Sequence, residues 1–240
     1  MNVTRYSATG NTFVFFDANV ELSDEEKSRL VLEHVGDLDG AIFVEGRNGL
    51  PLMDYFNRDG KRAEFCGNGA RAFVWHLVTR KGYPLEEEIE FITGAGKIKG
   101  LVKDGIVFIQ SPDPVDEGVF EIDGICIFKV RVGVPHIVVE RRDLENVNME
   151  TFARPLRWKF DANVNIFRSI GDVTLKMRTY ERGVERETLA CGSGAVAVAY
   201  VYREMIGREK TEFILLPPGG RLSVMIKEGE YYLGGGVEDV

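Results

Sequence analysis

The 240-residue sequence predicts an α+β fold of two alike lobes, each mostly strands with one strong helix. Two observations predict the duplication. Cys66-Gly-Asn-Gly69 and Cys191-Gly-Ser-Gly194 are near-copies 125 residues apart, and further matching blocks keep the same order at offsets of 122 to 125. A third observation predicts the class. Alternating apolar segments joined by two-residue turns argue for antiparallel strands, and each Cys-Gly-x-Gly opens a helical pattern.

Taken in order, Gly10–Asp17 recurs as Gly133–Glu140. Ser23-Asp-Glu-Glu26 has the form of a capping box, and the helix it opens should end near Gly36. Tyr55-Phe-Asn-Arg58 recurs as Thr179-Tyr-Glu-Arg182. After each cysteine comes a helical stretch, stopped near Gly82 in the first copy and near Gly207 in the second. Glu90-Phe-Ile92 recurs as Glu212-Phe-Ile214, each followed by a Gly-rich turn. Strands over 97–103 and 221–227 follow. Asp104-Gly105 and Glu228-Gly229 then turn the chain into a last strand. The boundary falls near Ser111–Gly118, which is rich in turn formers, giving lobes over 1–113, with Cys66, and 114–240, with Cys191. The last strand is free to pack back on the first lobe.

A net charge of −8 and a pI near 5.1 argue against nucleic acid or an anionic membrane as partner. No apolar run approaches the ~20 residues of a membrane span, and the first residues lack a signal-peptide core. The default expectation is a cytoplasmic protein. Three cysteines cannot all pair, so a disulfide scaffold is not expected.

The chemistry follows from the repeated cysteines. A helix start offers unpaired N–H groups and positive potential, which favour a thiolate and bind a carboxylate. Two such thiols, facing a shared cleft from opposite sides, could remove a proton from one face of a carbon and supply one to the other. That inverts the α-carbon of an amino acid, a small-molecule substrate. The helix starts would stabilise charge building on its carboxylate. No pyridoxal site is evident, so no cofactor and no metal are expected.

The competing readings are weaker. Zinc needs ligands at short spacing, and a dithiol redox site normally uses Cys-x-x-Cys; neither is present. A non-catalytic amino-acid-binding module would not need the thiols. Cys126, in an alternating strand, reads as core or structural. His34 and His76 sit inside helix patterns, packed or solvent-facing. From pattern alone His136 is as readily structural as functional.

These motifs resemble the diaminopimelate epimerases over nearly the full length. The matching segments are Thr9-Gly-Asn11, Phe56-Asn-Arg-Asp-Gly60, Cys66-Gly-Asn-Gly-Ala-Arg71, Gly133-x-Pro-His136, Asn163-Val-Asn-Ile166, Tyr180-Glu-Arg-Gly183 and Ala190-Cys-Gly-Ser-Gly-Ala195. The Cys-Gly-x-Gly pair alone would also suit proline racemase-like enzymes. The resemblance implies two pseudo-symmetric lobes, each a curled sheet around a central helix. It implies pyridoxal-independent interconversion of LL- and meso-diaminopimelate, on the route to lysine and peptidoglycan. Cys66 and Cys191 match the acid/base cysteines, and His136 and Glu181 match groups that assist them. Asn11, Asn57, Asn163, Glu181 and Arg182 match substrate contacts, and Gly67, Asn68, Gly192 and Ser193 the helix starts that hold the carboxylate. A monomer or homodimer is implied. The chain departs from the family at Thr12, where an acid is usual, at Gly40, where Gln is usual, and at Val134, where Asn is usual. It also has one extra residue within Val184–Glu187. These departures leave open a related racemase with a different or broader substrate range.

Overall fold

The structure is a computed structural model that describes residues 2–17 and 22–240. The chain forms two compact units, Met1–Ile109 with Gly234–Val240, and Gln110–Leu233.

The first unit runs β1 (Asn2–Ala8), β2 (Asn11–Asp17), α1 (Asp24–His34), β3 (Gly40–Arg47), β4 (Leu50–Asn57), β5 (Arg62–Ala63), α2 (Gly67–Lys81), β6 (Ile89–Thr93), β7 (Gly96–Lys103) and β8 (Ile106–Gln110). Strands that follow one another through a tight turn pair antiparallel: β1 with β2, β3 with β4, β6 with β7, β7 with β8. Strands separated by a helix pair parallel: β2 with β3 across α1, and β4 with β6 across α2. A helical crossover is what lets a chain return in the same direction. The sheet is thus mostly antiparallel, with parallel pairs where helices intervene.

The second unit repeats that order after one extra strand. It runs β9 (Val115–Ile122), β10 (Ile125–Val132), β11 (Val134–Glu140), α3 (Met149–Phe160), β12 (Asn163–Ser169), β13 (Thr174–Glu181), β14 (Arg186–Thr188), α4 (Gly192–Ile206), β15 (Glu212–Leu216), β16 (Leu222–Lys227) and β17 (Glu230–Gly235). The parallel pairs recur, β11 with β12 across α3 and β13 with β15 across α4. The final strand, β18 (Val237–Asp239), belongs to the first unit and pairs antiparallel with β1.

Helix α1 has the full capping box, Ser23 and Glu26 each satisfying the other's backbone N–H. Gly82 ends α2 in the left-handed region, at φ 74°. The hairpin turns place Asp104, Gly105, Glu228 and Gly229 at positive φ, as two-residue turns require. Helices α2 and α4 are wrapped by sheet. Ala70, Ala72, Phe73, Val74 and Leu77 of α2 are buried in one core, and Ala195 through Ala199, Val201 and Tyr202 of α4 in the other. Among the described residues no helix is long and apolar enough to cross a membrane.

Three sequence expectations are corrected. Helix α3 is the repeat of α1, 125 residues on, and the sequence pattern hides it behind Pro155, which removes one helical N–H. Its apolar residues Met149, Ala153 and Leu156 still pack into a core, and Asn148 caps it. The segment taken for a boundary turn, Ser111–Gly118, runs into strand β9. Its turn formers build a bulge instead: Asp116 Oδ1 accepts from the Gly118 N–H at 2.8 Å where the β9–β10 register slips. Cys126 is exposed, not core. The alternation of β10 turns Ile127 inward and Cys126 outward.

Candidate active site

Each Cys-Gly-x-Gly builds the same local device. Both cysteines are extended N-cap residues, with φ/ψ of −142°/115° at Cys66 and −128°/113° at Cys191. The approach to each is pinned. Ala95 N–H bonds to the carbonyl of Glu64, and Gly219 N–H to that of Leu189, two residues before the cysteine. Gly94 and Gly219 permit that closeness, since a Cβ would lie 2.7 Å from the Glu64 carbonyl or 2.9 Å from that of Leu189.

In the first unit Cys66 Sγ accepts from the Gly69 N–H at 3.4 Å. Burial pushes the thiol up, and the Gly69 and Asn68 N–H groups, the Arg71 charge and the Tyr55 hydroxyl pull it down. Burial wins, so the net direction is the reverse of what helix starts alone suggest. Asn68 Nδ2 donates to Asn11 Oδ1, while Asn68 Oδ1 accepts from Arg71 Nη2 at 2.5 Å. The same Nη2 reaches Thr9 Oγ1 at 3.0 Å. Asn57, at the exposed end of β4, accepts the Tyr55 hydroxyl on Oδ1 at 3.0 Å. Asn11, Asn57, Cys66, Gly67 and Asn68 thus all lie in the first unit.

The other predicted residues lie in the second unit. Cys191 is buried; burial, then the Glu181 charge, pushes its thiol up. It lacks the full cap bond that Cys66 takes, but the Gly194 and Ser193 N–H groups and the Ser193 hydroxyl still pull it down. Ser193 Oγ lies 3.7 Å from Cys191 Sγ and 3.1 Å from His136 Nε2. Asn165 Nδ2 donates to His136 Nδ1 at 3.1 Å and to the Ile137 carbonyl at 3.1 Å, and Asn165 Oδ1 accepts from Thr179 Oγ1 at 2.9 Å. Because Asn165 donates to Nδ1, the neutral ring carries its hydrogen on Nε2 and donates to Ser193. Burial, then Arg182, lowers His136 to about 4. Asn163 Oδ1 takes the backbone N–H of Arg182 at 2.8 Å, and Arg182 Nη1 reaches Asp161 Oδ2 at 3.0 Å.

Sequence reasoning did not single out Arg71, Tyr55, Asn165 or Thr179. A polar residue at an inward phase of an apolar strand, as Asn165 is in β12, was the available signal. The departures are absorbed locally. Thr12 bonds Asp39 Oδ2 through its N–H at 2.8 Å, Gly40 lies against Tyr55, and Val134 is exposed. Glu185, in the lengthened turn, holds Arg157 of α3 at 2.8 Å.

Among the described residues no cluster of His, Cys, Asp and Glu could hold a metal ion.

Residues 128–237 match the model of the family described as diaminopimelate epimerase. The chain is 44% identical over 234 residues to a diaminopimelate epimerase of Thermotoga maritima, covering 97% of each. It is 34% identical to those of Campylobacter lari, covering 95% of this chain and 91% of that one, and Aquifex aeolicus, covering 100% and 96%. Among solved structures it is similar to a phenazine biosynthesis PhzF-family protein of Enterococcus faecalis, with TM-score 0.72, 17% identity and 99% and 95% coverage. It is also similar to a hydroxyproline epimerase of Agrobacterium vitis, with TM-score 0.60, 14% identity and 99% and 90% coverage. These two share the fold. With near-complete relatives at such identity, the chain belongs to the diaminopimelate epimerase family, a family of isomerases.

Proposed function

We propose that the chain interconverts LL- and meso-diaminopimelate with Cys66 and Cys191 as its two bases, in lysine and peptidoglycan precursor synthesis. The observation that carries this reading is the pair of thiols, each the N-cap of an equivalent helix with backbone N–H groups at its sulfur. One cysteine acts as thiolate and takes the α-proton, becoming a thiol. The other, starting as a thiol, gives its proton to the opposite face of the carbon and is left as thiolate. The two ionisation states exchange at each turnover, so each direction of the reaction starts from a different thiolate. The N–H groups of Gly67, Asn68, Gly192 and Ser193 receive the substrate carboxylate, whose negative charge grows as the proton leaves.

The raised thiol values suit this work. An amino-acid α-proton is far less acidic than a thiol, and a sulfur held up by burial is a stronger base once ionised. Glu181 and the Ser193–His136 pair adjust Cys191, while Asn11, Asn57, Asn163 and Arg182 hold the rest of the substrate. The exposed Val134 offers no hydrogen bond where the family usually has Asn, and a lost bond to a charged ligand group costs about 1.5–3 kcal/mol. Diaminopimelate should therefore bind more weakly than in relatives that keep Asn. A panel of LL-diaminopimelate, lysine, ornithine and apolar L-amino acids, scored by solvent deuterium incorporation at the α-carbon, tests the assignment. Diaminopimelate should turn over fastest. Faster turnover of any other member would replace the substrate while leaving the chemistry.

A further inference from the structure

The second unit holds a buried polar chain that the first unit does without. His136, Asn165 and Thr179 are all buried. Strand register gives their counterparts. His136 and Phe13 open the parallel pairings with Asn163 and Gly40, and the Asn165–Thr179 cross-strand pair stands where Ile42–Tyr55 stands. The glycines of the two helix starts agree with that match: a Cβ on Gly194 would meet Asn165, and one on Gly69 would meet Ile42. Phe13 and Ile42 fill their places with apolar atoms. The fold therefore does not require polar groups there, and burying them costs free energy unless each is paired.

Each is paired, and the pairing has a direction. The Ile137 carbonyl can only accept, so the Asn165 atom 3.1 Å from it is Nδ2 and not Oδ1. Oδ1 accordingly faces Thr179 and accepts its hydroxyl at 2.9 Å. The second hydrogen of Nδ2 goes to His136 Nδ1 at 3.1 Å, which makes Nδ1 the bare, accepting nitrogen. Nε2 carries the ring hydrogen and gives it to Ser193 Oγ at 3.1 Å. The Ser193 oxygen is thus an acceptor on one side, and its own O–H is left for the Cys191 sulfur, 3.7 Å away.

We infer that Asn165 is a positioning residue for Cys191: it locks His136 as an Nε2–H donor, so that Ser193 turns its O–H to the sulfur whenever Cys191 is a thiolate. His136 is then not a base for the thiol. Taking a proton would put a hydrogen on Nδ1, against the Asn165 amide, and the burial that holds His136 far below its ordinary value acts the same way. No proton travels along the chain; Cys191 exchanges its proton with the substrate carbon alone. The inference rests on the two-thiol reading and adds to it a residue that acts through two others.

The test begins with the unsubstituted protein. Two-bond nitrogen–proton correlation spectra report which nitrogen of a neutral imidazole carries hydrogen. The chain has three histidines, told apart with His34→Gln and His136→Gln. His136 should be the Nε2–H tautomer from about pH 6 to about pH 9, and an Nδ1–H ring or an imidazolium in that range overturns the proposal. Asn165→Leu then removes the lock and keeps the volume. In a Cys126→Ser background, with iodoacetamide adducts counted by peptide mass, the Cys191 titration should move up by about one pH unit, with Cys66 unmoved. That is roughly a tenfold loss of reactivity at a fixed pH below the midpoint. The same replacement made on Ser193→Ala should leave Cys191 unmoved, because the group it acts through is gone. Thr179→Val loses one bond to Asn165 but leaves the Ile137 carbonyl to hold the amide, so the tautomer and the Cys191 titration should both stay. An unmoved Cys191 in Asn165→Leu, an equal shift with and without the Ser193 hydroxyl, or as large a shift in Thr179→Val assigns Asn165 to packing and overturns the proposal. If His136 and Cys191 respond as stated but the unsubstituted enzyme does not turn over diaminopimelate, the substrate assignment fails and the Asn165 assignment stands.

Discussion

Arg71 gives the sharpest prediction about stability. Its side chain is fully buried on α2, and its Nε and Nη1 have no hydrogen-bond partner. Burial lowers it to about 10, against the Cys66 charge, which raises it. The folded value lies below the unfolded one, so the penalty is fully present at neutral pH, where the cation is held in both states. That lowering is worth about 3 kcal/mol against folding. Arg71→Met keeps the length of the stem and removes the charge. It also removes the Nη2 bonds to Thr9 and Asn68, at about 1–3 kcal/mol for the two together. The variant should therefore be between unchanged and about 2 kcal/mol more stable, whereas breaking an ordinary buried ion pair costs about 3–5 kcal/mol. The measurement is the urea midpoint at unchanged slope, beside the pH profile of Cys66 alkylation. Cys66 should titrate higher and epimerisation should fall, because the cation that favours its thiolate is gone. A loss of more than about 2 kcal/mol, or an unmoved Cys66 titration, would show that Arg71 serves the packing and not the thiol.

His136 should stay neutral in an NMR titration down to about pH 4. Below the unfolded value of about 6.5 the unfolded chain takes up a proton that the folded chain refuses, so stability should fall between those limits by about 3 kcal/mol, with His76, also lowered by burial, adding in the same direction. Gly194→Ala would drive a Cβ into Asn165 Oδ1 and to 3.2 Å from Cys191 Sγ, while Gly69→Ala crowds the flexible ends of Ile42 and Met53 and meets Cys66 Cβ at an ordinary 3.5 Å. The first should cost about 1–3 kcal/mol and most of the activity, the second clearly less, as chemical denaturation and turnover would show. Cys126, exposed on β10, should be the first thiol alkylated by a bulky reagent, without loss of activity.

The sequence was readable where a local rule forces the backbone. The capping box of α1, the Cys-Gly-x-Gly starts of α2 and α4, the glycine after α2 and the Asp-Gly and Glu-Gly hairpin turns are all set by neighbours in the chain, and the duplication exposes them twice. Helix α3 was not readable because a local signal, Pro155, outvotes a stripe whose value lies in the core it meets. Cys126 was misread because alternation fixes that neighbours face opposite ways but not which faces inward; the β10 pairing and packing decide that. At the site, the cysteines were legible from pattern. The groups that tune them were not. Asn165 and Thr179 meet beside His136 from β12 and β13, and Tyr55 meets Asn57 within β4, contacts that no local sequence pattern announces. Burial was also invisible, and it reverses the thiol shift expected from helix starts alone.

The central claim is that two thiols, not one, move the proton. The direct measurement is solvent deuterium incorporation at the α-carbon of LL- and of meso-diaminopimelate by Cys66→Ala and by Cys191→Ala, with folding checked by denaturation. Each variant should lose epimerisation by several orders of magnitude, while Cys126→Ala keeps it. Either cysteine variant epimerising at the unsubstituted rate would contradict it.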